Sequence, residues 1–109
     1  MFNVIFLGAI QHELSVVELD GIFSSSSGTV LAPEFCFCNG TGLLEAGRSA
    51  ARSFERLLEK GVTAISLGEQ SVARAASRKI LEDSMNLVRP MNFSKKAPGN
   101  SVFRIETSK

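Results

Sequence analysis

The sequence predicts an α+β domain with the element order β-α-β-α-β-β from residue 34 onward, preceded by an additional β-hairpin. The evidence is concentrated in residues 53–76, which contain the end of an amphipathic helix, a stop at Gly61, a short apolar segment and the start of a second helix. A helix that joins two neighbouring strands makes them parallel, with a right-handed crossover. We therefore expect residues 62–67 to lie beside residues 35–38 and to run in the same direction.

The N-terminal part, residues 1–33, is predicted to be an extension of this single domain. Residues 1–10 are largely apolar at consecutive positions, which is typical of a strand buried on both faces, and Gly8 indicates either a β-bulge or a close approach of another backbone segment. The dipeptide Asp20-Gly21 favours a tight turn between two apolar segments and so predicts the hairpin. The run of serines that follows is expected to be a flexible loop or a bulge.

The elements in the main part of the domain, residues 34–109, are predicted from the spacing of its apolar residues. In chain order the elements are a strand at 34–38, a helix at 43–60, a strand at 62–67, a second helix from about 70 to 87, and two strands at 87–93 and 102–106. The last two strands are expected to form a closing hairpin. Pro90 cannot donate a ladder hydrogen bond, so it places its strand at a sheet edge.

The composition is that of a soluble globular protein, with 44% apolar and 21% charged residues. The longest apolar run, residues 4–10, is far shorter than the roughly 20 residues of a membrane-spanning helix. No cationic residue precedes that run, as one would in a secretory signal. Cys36 and Cys38 are too close for an ordinary disulfide and fit a reducing compartment. We expect a cytoplasmic protein without membrane contact.

Charge is divided unevenly along the chain. Residues 1–40 contain four acids and no Lys or Arg, whereas residues 41–109 carry all 12 Lys and Arg against seven acids. Such an asymmetry favours an anionic partner for the basic part. The excess of positive charge is mild, because strong nucleic-acid binders usually have a denser basic patch.

The segment LLEKGVTAI at residues 57–65, followed by Gly68 and by VARA at residues 72–75, resembles the Alba superfamily, which includes stage V sporulation protein S. The resemblance covers residues 34–109 and implies a two-layer sandwich. It also implies a non-catalytic homodimer that binds DNA or RNA, largely independently of sequence, through a basic hairpin arm. At residues 39–41 and 67–70, where Alba proteins carry basic residues, this chain has no cation and one acid.

Cations on the expected hairpin and helices are the candidate nucleic-acid-binding residues, because Lys and Arg contacts to phosphates give salt-dependent affinity. The candidates are Lys95, Lys96, Arg89, Arg104, Arg74, Arg48 and Arg52. The hairpin cations have the alternative role of keeping a sheet edge soluble. Arg48 and Arg52 have the alternative of pairing with glutamates three residues away. Arg74 is expected in the first turns of the second helix, where a bound anion would offset the unfavourable helix dipole.

No catalytic constellation, metal site or cofactor is predicted. Cys36 and Cys38 share one strand face, and the chain's single histidine, His12, does not complete a zinc site, so the thiols are expected to pack as small apolar groups. Two alternatives to nucleic-acid binding remain open. One is a protein-interaction or regulatory module whose sheet and N-terminal hairpin bind another chain. The other is a small-ligand or phosphate-ester-binding enzyme with its site at the Gly68 loop.

Overall fold

The computed structural model describes residues 4–10, 34–44, 50–72 and 75–106. In chain order its elements are β1 (Val4–Ala9), β2 (Phe35–Asn39), α1 (Ala50–Lys60), β3 (Ala64–Ser66), a 3-10 helix (Glu69–Val72), α2 (Ala75–Asp83) and β4 (Leu87–Val88). A further 3-10 turn covers residues 41–44. None of the helices in these described ranges is long and apolar enough to cross a membrane.

The four strands form one sheet in the order β1-β2-β3-β4, and every neighbouring pair is parallel. The predicted parallel pairing of residues 62–67 with residues 35–38 is confirmed, since Phe37 lies opposite Ala64 and Asn39 opposite Ser66. Two further backbone bonds extend this pairing at both ends: Thr63 N–H donates to Cys36 O at 2.6 Å, and Gly40 N–H donates to Ser66 O at 2.9 Å. The chain is therefore a mixed α/β fold built on a parallel sheet.

Gly61 ends α1, as the sequence predicts. Its φ of 125° lies in a region that L side chains rarely adopt. Beyond it, Val62 N–H donates to Leu57 O at 3.0 Å, and Gly61 N–H donates to Leu58 O at 3.3 Å. This pair of bonds is the Schellman pattern, which satisfies carbonyls at the helix end and redirects the chain into β3.

The hydrophobic core lies between the helices and one face of the sheet. From the strands, Cys36, Cys38, Ile65 and Leu87 point into it. Helix α1 contributes a stripe at helical spacing, Ala50, Phe54 and Leu57, and α2 contributes Leu81. Right-handed crossovers that proceed in one direction across a parallel sheet place their helices on the same face. Both α1 and α2 therefore cover the face that carries the cysteines.

The prediction of a closing hairpin is wrong. Strand β4 is limited to Leu87–Val88 and is parallel to β3, and residues 102–106 form no strand. Pro90 has no N–H for the ladder, and the chain then folds through successive turns in residues 91–99. It returns beside β4 in a single parallel bridge between Val88 and Asn100. The β-β ending that the Alba topology requires is therefore not formed by the described residues.

Strand β1 confirms one prediction and corrects another. A register shift between Phe6 and Ala9, with Gly8 at a φ of 76°, is the predicted bulge. The prediction that β1 is buried on both faces is wrong, because Val4 is 54% exposed and Phe6 is 66% exposed. The opposite side of the strand does pack on the core, through Ile5 and Leu7.

Both helices are shorter than predicted. The first was expected at residues 43–60, and the described part of it is the 3-10 turn at 41–44 and α1. The second was expected from about residue 70 to 87, and it comprises the 3-10 helix at Glu69–Val72 and α2, which ends at Asp83. The predicted N-terminal hairpin lies outside the described residues.

Gly40 is the tightest point of the β2–β3 junction, and it provides a test of the packing. A Cβ at this position would lie 2.6 Å from Ile65 Cγ2 and 2.8 Å from Phe54 Cε1. We expect Gly40→Ala to lower the free energy of unfolding by about 1–3 kcal/mol through overpacking. Urea denaturation followed by circular dichroism would measure this change.

The matched control for Gly40→Ala is Gly8→Ala, where a Cβ meets no atom within 4 Å and only the positive φ is unfavourable. That variant should cost about 1 kcal/mol. Equal losses for the two variants would show that crowding at Gly40 contributes nothing.

Candidate functional site

One face of the sheet carries apolar side chains that neither α1 nor α2 covers. Strand register places these residues side by side on it: Val4 beside Phe35, Phe6 beside Phe37, Phe37 beside Ala64, Asn39 beside Ser66, and Ser66 beside Val88. Phe103, from the segment after β4, joins them around a shallow cavity of about 240 Å³. We call this surface the open sheet face.

The open sheet face is aromatic and uncharged. The rings of Phe35 and Phe37 stack with centroids 6.3 Å apart and planes 16° from parallel. Its polar side chains, Asn39 and Ser66, lie together at the carboxyl end of β2 and β3. None of the residues that define the face carries a charge. A surface of this chemistry is typical of contacts with another apolar protein surface.

A second feature is the basic loop, residues 90–99, which Arg89 anchors. Arg89 is only 8% exposed. Its Nε donates to Pro98 O at 3.0 Å and its Nη1 donates to Pro90 O at 3.1 Å, so one guanidinium joins the two ends of the loop. At the far end of the loop Lys95 and Lys96 are both exposed. Arg89 thus anchors the loop, whereas Lys95 and Lys96 are exposed on it.

Gly99 lies at the end of the basic loop and packs closely against α2. It has a φ of 76°, and a Cβ here would lie 2.8 Å from Leu81 Cβ. Within the loop, Ala97 N–H donates to Ser94 O at 2.9 Å. These contacts hold the segment between Arg89 and Asn100 in a defined shape.

The remaining candidate cations are dispersed. Arg52 is exposed on α1, and Arg104 is exposed in the segment that follows the basic loop. Arg48 and Arg74 lie outside the described residues. The structure therefore places Lys95 and Lys96 on the basic loop, Arg89 at its base and Arg52 on a different element.

Polar groups at the carboxyl ends of β2 and β3 are used to hold the loops together. Thr41 N–H donates to Asn39 Oδ1 at 2.9 Å, and Gly68 N–H donates to Thr41 Oγ1 at 2.8 Å. The Gly68 amide, which an anion would use in the proposed enzyme site, is therefore engaged within the protein. Glu69 is the nearest charged residue in sequence, and it would repel an anion. Among the described residues no group of three or more His, Cys, Asp or Glu is placed to hold a metal ion.

Both cysteines are free and buried, as predicted, with 1% of each exposed. Burial raises the pKa of the Cys36 thiol. Burial, together with the charge of neighbouring Cys36, raises the pKa of Cys38 to about 12. Neutral thiols of this kind are poor nucleophiles and poor metal ligands. They act as small apolar side chains in the core.

A groove of about 620 Å³ separates α1 from α2. Its apolar lining includes Phe54, Leu58 and Ile80. At its edge Lys79 Nζ lies 3.7 Å from Asp83 Oδ2, an exposed pair that contributes little to stability.

Comparison with known proteins supports a family and a fold. The model of a family described as YmdB-like protein matches residues 27–109. No curated protein matches the sequence significantly. A crystal structure of a hypothetical protein from Thermus thermophilus is similar at a TM-score of 0.68 and 22% identity, over 96% of this chain and 40% of that chain. That identity supports the fold alone, and the chain spans less than half the length of the Thermus protein. The matched family is not described as Alba, so the Alba resemblance stays a prediction.

The raised thiol pKa values predict a pH dependence of stability. From pH 9, the ordinary thiol value, to about 12, the unfolded chain releases the Cys38 proton while the folded chain keeps it. The stabilisation is therefore present below pH 9 and is lost as the pH rises through this window. Denaturation curves at pH 8 and pH 10.5 should show a smaller decline for Cys38→Ala than for the unmodified protein. An equal decline in both would contradict the assignment.

Proposed function

We propose that this chain, which belongs to the YmdB-like protein family, is a non-catalytic protein-interaction domain that binds another β-sheet through its open sheet face. The observation that carries the proposal is the exposure of Phe6 at 66% and Val4 at 54% on an uncharged face. Parallel sheets in proteins are almost always covered on both faces. Here the described helices, α1 and α2, cover one.

Covering the open sheet face is energetically favourable. Fully burying a Val or Phe side chain contributes about 1.5–3 kcal/mol, and these two side chains are more than half exposed. Together they would contribute about 2–3 kcal/mol to a complex. Their neighbours Phe35 and Phe37 supply a stacked aromatic surface for the same contact.

The shape of the face favours a sheet as its partner. Sheets pack face to face at about 10 Å, with apolar side chains interdigitating between them. Of the described elements, neither α1 nor α2 lies on this face, and a separate β-sheet is the occupant that we propose for it.

Site-specific photo-crosslinking tests this function in the cell of origin. A benzophenone amino acid in place of Phe6 should give a crosslinked adduct that Phe37→Asp suppresses. The same amino acid at Lys79, on the helix side of the domain with 78% of its side chain exposed, is the matched control and should give none. Equal adducts from both positions, or none from position 6, would rule out the open sheet face as a binding surface.

Nucleic-acid binding through the basic loop is the second candidate function. The observation in its favour is that Arg89 and Gly99 hold the loop in a fixed shape while Lys95 and Lys96 are exposed on it. Fixed cations lose less entropy when they meet a phosphate backbone. The candidate contacts on the loop are the two lysines, whereas Arg104 and Arg52 lie on other segments and are separate candidates.

Fluorescence anisotropy with duplex DNA and single-stranded RNA, at low and moderate salt, tests this second function. The double variant Lys95→Ala, Lys96→Ala should weaken binding and reduce the slope of log affinity against log salt by about 1.4–1.8, for two lost phosphate contacts. The double variant Arg78→Ala, Lys79→Ala removes the same charge from α2 and should leave both quantities unchanged. Absence of binding at low salt would exclude the function.

A further inference from the structure

We infer that residues 102–106 pair as a β-strand with the edge of the partner's sheet, so that the segment and the partner together form the second layer on the open sheet face. The inference rests on the proposed function and names the way in which the partner is held. The pairing is backbone to backbone, as in complexes where an extended segment of one protein joins the sheet edge of another. The partner is therefore a protein with an open edge strand.

The sequence of the segment favours an extended strand. Val102, Phe103 and Ile105 are β-branched or aromatic, the residue types that are enriched in strands. Burial changes from one residue to the next as it does in a strand with two faces, because Phe103 is half-buried while Val102 before it and Arg104 after it are exposed. Val102 is 60% exposed, although it is apolar. The segment thus has the pattern of a strand, although it forms none with β4.

The backbone of the segment is available for pairing. The bridge to β4 is made by Asn100, whose carbonyl oxygen accepts from Arg89 N–H at 2.9 Å. Within the described ranges, residues 102–106 make no backbone-to-backbone hydrogen bond. An extended segment of this kind presents a row of N–H and C=O groups to a further strand.

The segment is continuous with the open sheet face. Phe103 lines the shallow cavity of that face together with Phe6 of β1 and Phe37 of β2. Strand β1 is at the opposite edge of the sheet from β4, so a residue that shares a cavity with Phe6 lies over the face and not beyond the β4 edge. Sheets pack about 10 Å apart with their side chains interdigitating. A strand at residues 102–106 would therefore belong to the same layer as the docked sheet.

The chain immediately before the segment is fixed. Arg89 Nε donates to Pro98 O at 3.0 Å, and a Cβ on Gly99 would lie 2.8 Å from Leu81 Cβ. A segment whose start is already held loses less conformational entropy when it pairs with a partner. The anchored loop therefore favours pairing of the residues that follow it.

The charges of the segment specify the partner's strand. Arg104 and Glu106 are exposed and lie two residues apart, so they share one face of a strand. Opposite charges directly across two strands are favourable, and like charges are unfavourable. We expect the partner's strand to carry an acidic residue opposite Arg104 and a basic residue opposite Glu106, with apolar residues opposite Phe103 and Ile105.

Photo-crosslinking combined with proline substitution tests the inference on the full chain in the cell of origin. A benzophenone amino acid in place of Val102 should give an adduct with the same partner as the adduct from position 6. Arg104→Pro and Ile105→Pro each remove an N–H, and the two N–H groups point to opposite edges of the strand. At least one of these variants should lower the yield of the position-102 adduct by about fivefold or more, the effect of one lost ladder hydrogen bond.

The matched controls are Arg104→Lys and Ile105→Val. Each keeps the N–H group together with the charge or the β-branched side chain of the original residue. Both should leave the yield of the position-102 adduct unchanged. Circular dichroism and urea denaturation would show that all four variants keep the fold.

Each result decides the inference. No adduct from position 102, an adduct with a different partner from that of position 6, or a yield that neither proline lowers below its control would overturn the strand pairing. If position 6 still gives the adduct that Phe37→Asp suppresses, the proposed function stands and only the way of holding the partner changes. If position 6 gives no adduct either, both fail.

Discussion

The parallel pairing of β2 with β3 is the constraint on which the rest of the structure depends. It requires α1 to end at Gly61 and the chain to turn at once into β3, so that Val62 is already hydrogen-bonded back to the helix. It also requires Gly40 to pass within contact distance of Ile65 and Phe54. Where this pairing is fixed, the core face of the sheet and the position of both helices follow.

The same constraint makes the two faces of the sheet different. The crossovers through α1 and α2 advance in the same direction across the sheet, and right-handed crossovers of this kind place their helices on the same face. Both helices consequently lie on one side, where Cys36 and Cys38 are buried deeply enough to remain neutral. On the other side Val4 and Phe6 are more than half exposed, and Phe35 and Phe37 are half-buried. The proposed interaction surface is thus a consequence of topology and does not depend on an unusual local sequence.

The basic loop shows how burial changes the role of a charged residue. Arg89, Lys95 and Lys96 are equivalent as cations in the sequence, and all three were candidates for contacting phosphate. In the structure Arg89 donates two hydrogen bonds to carbonyls at the two ends of the loop, which is a positioning role. The two lysines keep their charge at the surface. In the second proposed function, contact of the two lysines with phosphate would therefore depend on the shape that Arg89 gives to the loop.

The sequence by itself determined the features that depend on local spacing: the helical stripe of α1, the glycine at which it ends, the bulge at Gly8, and the parallel strand that follows the helix. It also indicated, through the consecutive apolar residues of β1, a strand that is buried on both sides. Only the tertiary structure decided that residues 102–106 form no strand, that Arg89 is an anchor, and that Phe6 faces solvent. These outcomes depend on contacts between residues distant in sequence or on what covers a sheet face. Hydrophobic periodicity records which side chains favour burial, but it does not record which part of the same chain, or of another, will bury them.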